Sequence, residues 1–152
     1  MCGIFGVVDL SNNIMKKMAD GMHALQHRGK ESAGISFLDA EGKIRTFRLM
    51  GFVNDLFKKH NLLSYEMCVA IGHNRYSTTG DSTLGNAHPI CGKCQFGDIS
   101  VVHTGNITNV DYLKAICNVL SPSVFQTETD TEIILHLIAK SEKETLDEAL
   151  ID

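Results

Sequence analysis

The sequence predicts an α+β protein with mostly antiparallel sheet, and two observations support this. Apolar, β-prone runs and helical periodicities follow one another along the 152 residues without a repeating strand–helix–strand unit. Residues 33–38 and 43–49 are two short β-prone runs around the turn DAEG at residues 39–42, a pattern typical of a hairpin. A chain of this length is sufficient for a single domain with a substantial core. We therefore expect one domain over residues 1–152.

The remaining elements follow from apolar runs and apolar periodicity. Buried strands are predicted at residues 2–8, 67–72 and 99–103. Helices are predicted where apolar residues recur three and four positions apart. These positions are Ile14, Met18, Met22 and Leu25, then Leu113, Ile116, Cys117 and Leu120, and finally Ile133, Ile134, Leu137 and Ile138. Polar residues 11–13 are expected to start the first helix, and Thr108–Asp111 and Thr129–Glu132 match the capping box.

Composition and charge exclude several classes of protein. Hydrophobic residues make up 43% of the chain and charged residues 21%, as in ordinary soluble globular proteins. The formal net charge is −4 and no basic cluster occurs, so we expect no nucleic-acid partner. We also expect no membrane association, because no apolar run is long enough to span a bilayer. The odd number of cysteines, five, without a secretory leader predicts reduced thiols and a cytoplasmic location.

Cys2 directly follows the initiator methionine, which is a chemically important position. A small residue there favours removal of Met1, and the mature chain would then carry a thiol beside a free α-amine. That amine titrates near ~7.7–8.0 and is partly an unprotonated base at neutral pH. A nucleophile with its own general base needs no histidine partner. The alternative is that Cys2 is a buried strand residue, since free cysteine packs like a small hydrophobe.

Four polar clusters lie at predicted strand ends or helix starts, where binding residues are common. The first, residues 25–34, is expected to be a solvated loop on its own. Arg75, flanked by hydroxyls, has a planar guanidinium suited to a carboxylate, although a surface salt bridge is the alternative. Residues 103–109 form a glycine turn that suits an oxyanion hole or simply leads into a helix. Asp130 is a candidate helix cap or a partner for a ligand ammonium.

Cys91 and Cys94, with His88 upstream, also suggest a metal or redox site. Zinc sites need a second ligand pair at defined spacing, and no such pair follows. Cys68 and Cys117 lie in apolar segments and are predicted to be core residues. We therefore predict no metal ligand in this chain.

The four clusters and the N-terminus together resemble a known family. The segments MCGIFGVV, LQHRGKESAGI, GHNRYSTTG, HTGNITN and TDTEIILHLI are similar to the N-terminal glutaminase domain of the glutamine phosphoribosylpyrophosphate amidotransferases. Other class II glutamine amidotransferases share the cysteine start and remain an alternative. The resemblance implies an N-terminal-nucleophile (Ntn) hydrolase fold, a four-layer αββα sandwich with antiparallel sheets. It also implies a transferase of purine biosynthesis that hydrolyses glutamine to glutamate and ammonia.

The resemblance assigns roles to residues at matching positions. It implies that Cys2 is the nucleophile and that its freed amine accepts the proton. Arg75 and Thr78 would bind the glutamine α-carboxylate, Asp130 the α-ammonium, and the Gly105 N–H would donate to the oxyanion. It implies no cofactor in this domain. Ammonia would pass to a phosphoribosyltransferase domain that uses Mg²⁺, and a homo-oligomer is one of the arrangements left open.

Two departures from the family pattern qualify this expectation. The family has H-N-G-N where this chain has His103-Thr104-Gly105-Asn106, so Thr104 replaces the asparagine that donates the second oxyanion hydrogen bond. Losing one such donor costs on the order of 10²–10³ in kcat, which predicts a weakened glutaminase or a glutamine-binding regulatory module. The chain also lacks the later strands and the transferase domain, so we expect an incomplete domain.

Overall fold

Two antiparallel sheets form the centre of the fold in a computed structural model, which describes residues 1–10, 14–77, 80–120 and 122–151. The strand order is β1-β4-β2-β3 in the first sheet and β5-β6 in the second, and every pairing is antiparallel. The predicted α+β class is therefore confirmed. The strands are β1 (Gly3–Val8), β2 (Ser32–Leu38), β3 (Ile44–Met50), β4 (Val69–Arg75), β5 (Ile90–Cys94) and β6 (Gly97–Val101).

Helices cover the outer face of each sheet. Helices α1 and α2 pack on the first sheet, α4 packs on β5 and β6, and α3 packs on α4. The second sheet contacts the first through β3 and β6, which gives the order helix, sheet, sheet, helix. The helices are α1 (Met15–Ala24), α2 (Val53–Lys59), α3 (Val110–Leu120), α4 (Thr131–Lys140) and α5 (Leu146–Ile151).

The main core lies between α1, α2 and the first sheet. Ile14, Met18 and Met22 are fully buried there, as their spacing predicts, together with Ile35 and Phe37 of β2. Burying an aliphatic or aromatic side chain of this size stabilises a fold by roughly 1.5–3 kcal/mol. This packing fixes the first sheet, whose other face carries the functional residues.

Side chains along β4 point alternately to the two faces of the sheet, which separates structural side chains from functional ones. Asn74 points toward α1, where its side-chain amide donates to the Met22 carbonyl oxygen at 2.7 Å. Successive strand residues point to opposite faces, so His73 and Arg75 lie on the face toward the second sheet. Both are buried. The polar end of β4 is therefore enclosed between the two sheets.

Several predictions about individual elements differ from the structure. Strand β1 is half-buried rather than buried, with Val8 75% exposed, and α2 and β5 are not predicted at all. The second capping box is wrong, because Glu132 accepts hydrogen bonds from the Gln126 and Thr127 N–H groups instead of capping α4. The predicted helix start at residues 11–13 lies outside the described residues. Among the described helices, none is both long and apolar enough to cross a bilayer.

Candidate active site

Cys2 lies immediately before β1 at the rim of a small cleft. Gly3 pairs with Asn74 of β4, which brings Cys2 to the end of that strand. The Cys2 thiol donates to the Tyr76 carbonyl oxygen at 3.2 Å, and the Tyr76 N–H lies 3.4 Å from the same sulfur. Backbone groups therefore orient the sulfur. Cys2 is only half-buried, so the alternative that it is a core residue is wrong.

The segment of residues 25–34, expected to be a solvated loop, instead holds the site together. The Arg28 Nε donates to the Cys2 carbonyl oxygen at 2.9 Å and so fixes the start of the chain. Glu31 accepts hydrogen bonds from the hydroxyl and the N–H of Ser77, at 2.5 and 3.1 Å. Burial alone would raise the pKa of Glu31, but these hydrogen bonds and the charge of Arg75 lower it below its ordinary value. Glu31 is thereby held as a carboxylate beside Arg75.

The Arg75 guanidinium is almost fully buried and is already engaged with the protein. It donates to the carbonyl oxygens of Asp81 and Gly80 at 3.2 and 3.3 Å and lies 3.8 Å from the Glu31 carboxylate. These contacts fix the orientation of its planar donors. Thr78, the predicted second contact of the glutamine carboxylate, lies outside the described residues.

Asp130 and the turn around Gly105 form the opposite wall. Asp130 is 5% exposed, and its Oδ2 accepts the Ile107 N–H at 2.8 Å. Its Oδ1 lies 3.6 Å from His103 Nδ1. Gly105 is exposed, and a Cβ there would meet His103 Nε2 at 2.8 Å. The Thr104 hydroxyl donates to the Cys2 carbonyl oxygen at 3.4 Å, so it is turned onto the backbone of the nucleophile.

One cleft gathers four of the predicted site residues, namely Cys2, Arg75, Gly105 and Asp130. Its volume is about 20 Å³, enough for one water molecule. A nucleophile, a cation, a carboxylate and a backbone turn therefore converge from sequence positions far apart. The cleft is also lined by residues that the sequence did not assign to it: His73, Tyr76, His88, His103 and Thr129.

His73 and His88 are the main site residues that sequence reasoning missed. Their rings pack against each other at a tilt of 40°, with centroids 4.5 Å apart. Burial lowers the pKa of His73 to about 4 and that of His88 to about 3, so both are neutral near pH 7. His73 Nε2 lies 3.0 Å from the His103 carbonyl oxygen and must carry the proton, because a carbonyl only accepts. In the sequence, His73 lies in the motif GHNRYSTTG at the end of an apolar strand, and His88 stands out only as a possible metal ligand with Cys91 and Cys94.

The structure separates His88 from the cysteines with which the metal hypothesis grouped it. Cys91 Sγ lies 3.0 Å from the Thr46 hydroxyl, and Cys91 and Cys94 line a different cavity of about 440 Å³ beside α4. In the described ranges, no three His, Cys, Asp or Glu side chains are placed to hold a metal ion. Cys117 is buried as predicted, whereas Cys68 is half-buried.

The two buried histidines predict acid sensitivity. Their pKa values are lowered from 6.5 in the folded protein, so their stabilising contribution is complete above about pH 6.5 and declines as the pH falls toward their folded values. Each histidine is expected to lower the free energy of unfolding by about 2 kcal/mol between pH 7.5 and pH 5, because one pKa unit corresponds to about 1.4 kcal/mol. Urea unfolding across this range measures the loss. A free energy of unfolding independent of pH there would contradict the assignment, and His88→Leu is expected to flatten the dependence.

Comparison with known proteins supports the same family as the motifs. No family model matches the chain. The amidophosphoribosyltransferase of Methanocaldococcus jannaschii is 38% identical over 148 residues, which is 97% of this chain and 31% of that protein. Amidophosphoribosyltransferase 3, chloroplastic, of Arabidopsis thaliana is 40% identical over 152 residues, 99% of this chain and 28% of that protein. The chain thus spans less than a third of the length of either relative.

Solved structures agree with these sequence similarities. The glutamine phosphoribosylpyrophosphate amidotransferase of B. subtilis, complexed with ADP and GMP, has a TM-score of 0.85 at 32% identity and covers 99% of this chain, which matches 31% of that one. A structure described as the allosteric regulatory enzyme of purine biosynthesis gives a TM-score of 0.86 at 33% identity, with 99% of this chain and 32% of that chain covered. The Ntn hydrolase fold is thereby confirmed. The chain is a homologue of the amidophosphoribosyltransferases and matches their N-terminal glutamine domain.

Proposed function

We propose that this chain is a glutamine amidotransferase domain that hydrolyses glutamine through a thioester on Cys2. The observation that carries the proposal is the convergence of Cys2, Arg75, Gly105 and Asp130 on one cleft. An α-amino acid has a carboxylate for Arg75 and an ammonium for Asp130, which leaves its side-chain carboxamide to face the thiol. The domain is proposed to need no cofactor.

The chemistry uses the α-amine that loss of Met1 would free on Cys2. The thiol proton passes to this amine as the sulfur attacks the carboxamide carbon, and a C–S bond forms. The carbonyl oxygen becomes an oxyanion, to which the Gly105 N–H donates. Collapse breaks the C–N bond, and the ammonium proton leaves with ammonia. Water then cleaves the thioester, which releases glutamate and restores the thiol.

The destination of the ammonia follows from the family to which the relatives belong. We infer that it passes to phosphoribosyl pyrophosphate in a separate phosphoribosyltransferase domain, where Mg²⁺ assists, and that this serves purine biosynthesis in the cytoplasm. Two thirds or more of each relative lies outside the matched region, which supports a separate acceptor domain. Some relatives are chloroplastic, and the oligomeric state is left open.

Glutamate release from glutamine tests the proposal directly. The protein is expected to release glutamate and ammonia in equal amounts, with asparagine, one methylene shorter, a poor substrate. Thr104, which is turned onto the Cys2 backbone, favours a second candidate, a glutamine-binding module without turnover. Calorimetry with glutamine separates the two, because binding without glutamate release would favour the module. If the protein neither binds glutamine nor releases glutamate, both candidate functions are contradicted.

A further inference from the structure

His88 holds a buried hydrogen-bond donor that no described residue satisfies. Its side chain lines the Cys2 cleft and is 5% exposed, and neither ring nitrogen has a hydrogen-bond partner among the described residues. More than about 90% of buried polar groups in proteins are paired, and leaving one unpaired costs roughly 1–3 kcal/mol. An unpaired donor in the cleft of a nucleophile is suited to a group that arrives with the substrate.

The imidazole of His88 is available as a donor without being charged. Burial holds its pKa at about 3, so the ring is neutral near pH 7 and carries one N–H in either tautomer. A neutral imidazole can polarise a carbonyl, as it does in triosephosphate isomerase. Such a donor stabilises the negative charge that develops on the carboxamide oxygen. Because it stays neutral, it does not take the proton that the α-amine passes to the leaving ammonia.

The cleft lacks the second oxyanion donor that the family motif supplies. Thr104 occupies that position, and its hydroxyl donates to the Cys2 carbonyl oxygen at 3.4 Å. Of the two oxyanion donors that the resemblance assigns to the motif, the Gly105 N–H is the one that this chain keeps. Oxyanion holes commonly use backbone N–H groups together with a side-chain donor, and His88 is in the same cleft as Gly105.

Two contacts fix His88 relative to the Gly105 turn. Its ring packs against that of His73 at a tilt of 40°, with centroids 4.5 Å apart. The His73 Nε2–H donates to the carbonyl oxygen of His103, two residues before Gly105. The His88 carbonyl lies so close to Gly34 that a Cβ at that glycine would be 2.0 Å from the oxygen. A donor held on both sides needs little reorganisation when charge develops, which is the condition for effective electrostatic stabilisation.

We propose that His88 donates the second hydrogen bond to the oxyanion of the tetrahedral intermediate, in place of the asparagine that Thr104 replaces. The inference rests on the proposed glutaminase function. As the Cys2 sulfur bonds to the carboxamide carbon, the π electrons move to oxygen, which accepts hydrogen bonds from the Gly105 N–H and the His88 N–H. The imidazole keeps its proton throughout. Collapse of the oxyanion breaks the C–N bond, with the proton from the α-amine leaving on ammonia.

Replacing His88 with leucine tests the proposal. His88→Leu is expected to lower kcat by about 10²–10³-fold and to change KM by less than about threefold, because the bond forms only in the transition state. His88→Gln keeps an N–H donor and is expected to recover part of the loss. His60→Leu is the matched control, since His60 also has a buried, unpartnered ring nitrogen but lies outside the cleft. If the leucine variant does not fold, His88→Met serves instead, because methionine adapts to irregular space.

The test is completed by introducing Thr104→Asn both into the otherwise unchanged protein and into the His88→Leu variant. With His88 as second donor, this substitution is expected to raise kcat only a few-fold in the otherwise unchanged protein but at least about tenfold beside His88→Leu. Unchanged kcat in folded His88→Leu, or a rise in KM alone, would overturn the role of His88 and leave the glutaminase function standing. If the unsubstituted protein neither hydrolyses glutamine nor reacts at Cys2 with an electrophilic glutamine analogue, the proposed function fails and the role of His88 fails with it.

Discussion

Replacing Cys2 with alanine is expected to abolish glutamine hydrolysis while leaving the fold and glutamine binding in place. The sulfur is the only atom of this chain proposed to form a covalent bond with substrate, and removing a catalytic nucleophile costs on the order of 10⁶ in kcat in a serine protease. Among the described residues, the Cys2 thiol forms hydrogen bonds only with the backbone of Tyr76, so little stability is lost. Glutamate release measures the loss of hydrolysis, and calorimetry with glutamine measures the binding that remains.

Cys91→Ala is the matched control for this substitution. Cys91 is also a free thiol and is more exposed than Cys2, but it contacts Thr46 rather than the cleft. Its replacement is expected to leave glutamate release unchanged. Turnover that survives in Cys2→Ala, or that is lost in Cys91→Ala, would contradict the assignment of the nucleophile.

Replacing Gly34 with alanine is expected to destabilise the fold by about 3 kcal/mol or more. Gly34 lies in the middle of β2, an inner strand of the first sheet, where it pairs with His73 and Arg48. A Cβ would lie 2.0 Å from the His88 carbonyl oxygen, and backbone cannot move aside as a flexible side chain can. Overpacking a tight site typically costs about 1–3 kcal/mol, and more where relaxation is blocked. Urea unfolding measures the loss.

Gly6→Ala is the control in the same sheet. Gly6 is also a strand residue, but a Cβ there would meet its nearest neighbours at an ordinary 3.8 Å. Alanine within a strand is favoured over glycine by roughly 0.5–1 kcal/mol, so this variant is expected to be as stable as the unsubstituted protein or slightly more stable. Equal stability of the Gly34 and Gly6 variants would contradict the close approach of Gly34 to the His88 carbonyl oxygen.

Apolar spacing and turn residues correctly predicted those helices and hairpins whose structure depends mainly on neighbouring residues in the sequence. The apolar spacing of Ile14, Met18 and Met22 identified the buried side of α1, and the hairpin of β2 and β3 followed from its turn. Helix α2 was missed although Val53, Leu56 and Phe57 are buried at helical spacing, because the segment is only two turns long. Glu132 matched a capping box, but the loop before α4 folds back and binds its carboxylate.

The candidate site was predicted from motifs, whereas its assembly depends on tertiary structure. Position in the motifs pointed to Cys2, Arg75, Gly105 and Asp130, which the fold brings to one cleft. No local pattern distinguishes His88 from a loop histidine, because its burial depends on β2 and His73. Likewise, only the fold shows that Arg28 fixes Cys2. Residues that support a site from distant segments leave little periodic signal in the sequence.

The intact mass of the protein after reaction with an electrophilic glutamine analogue tests the central claim most directly. A Cys2 nucleophile assisted by its own α-amine requires the chain to begin at Cys2. The predicted result is a mass lacking Met1 and carrying one adduct, located on Cys2 and prevented by excess glutamine. Active protein that retains Met1, or an adduct on another cysteine, would contradict the mechanism.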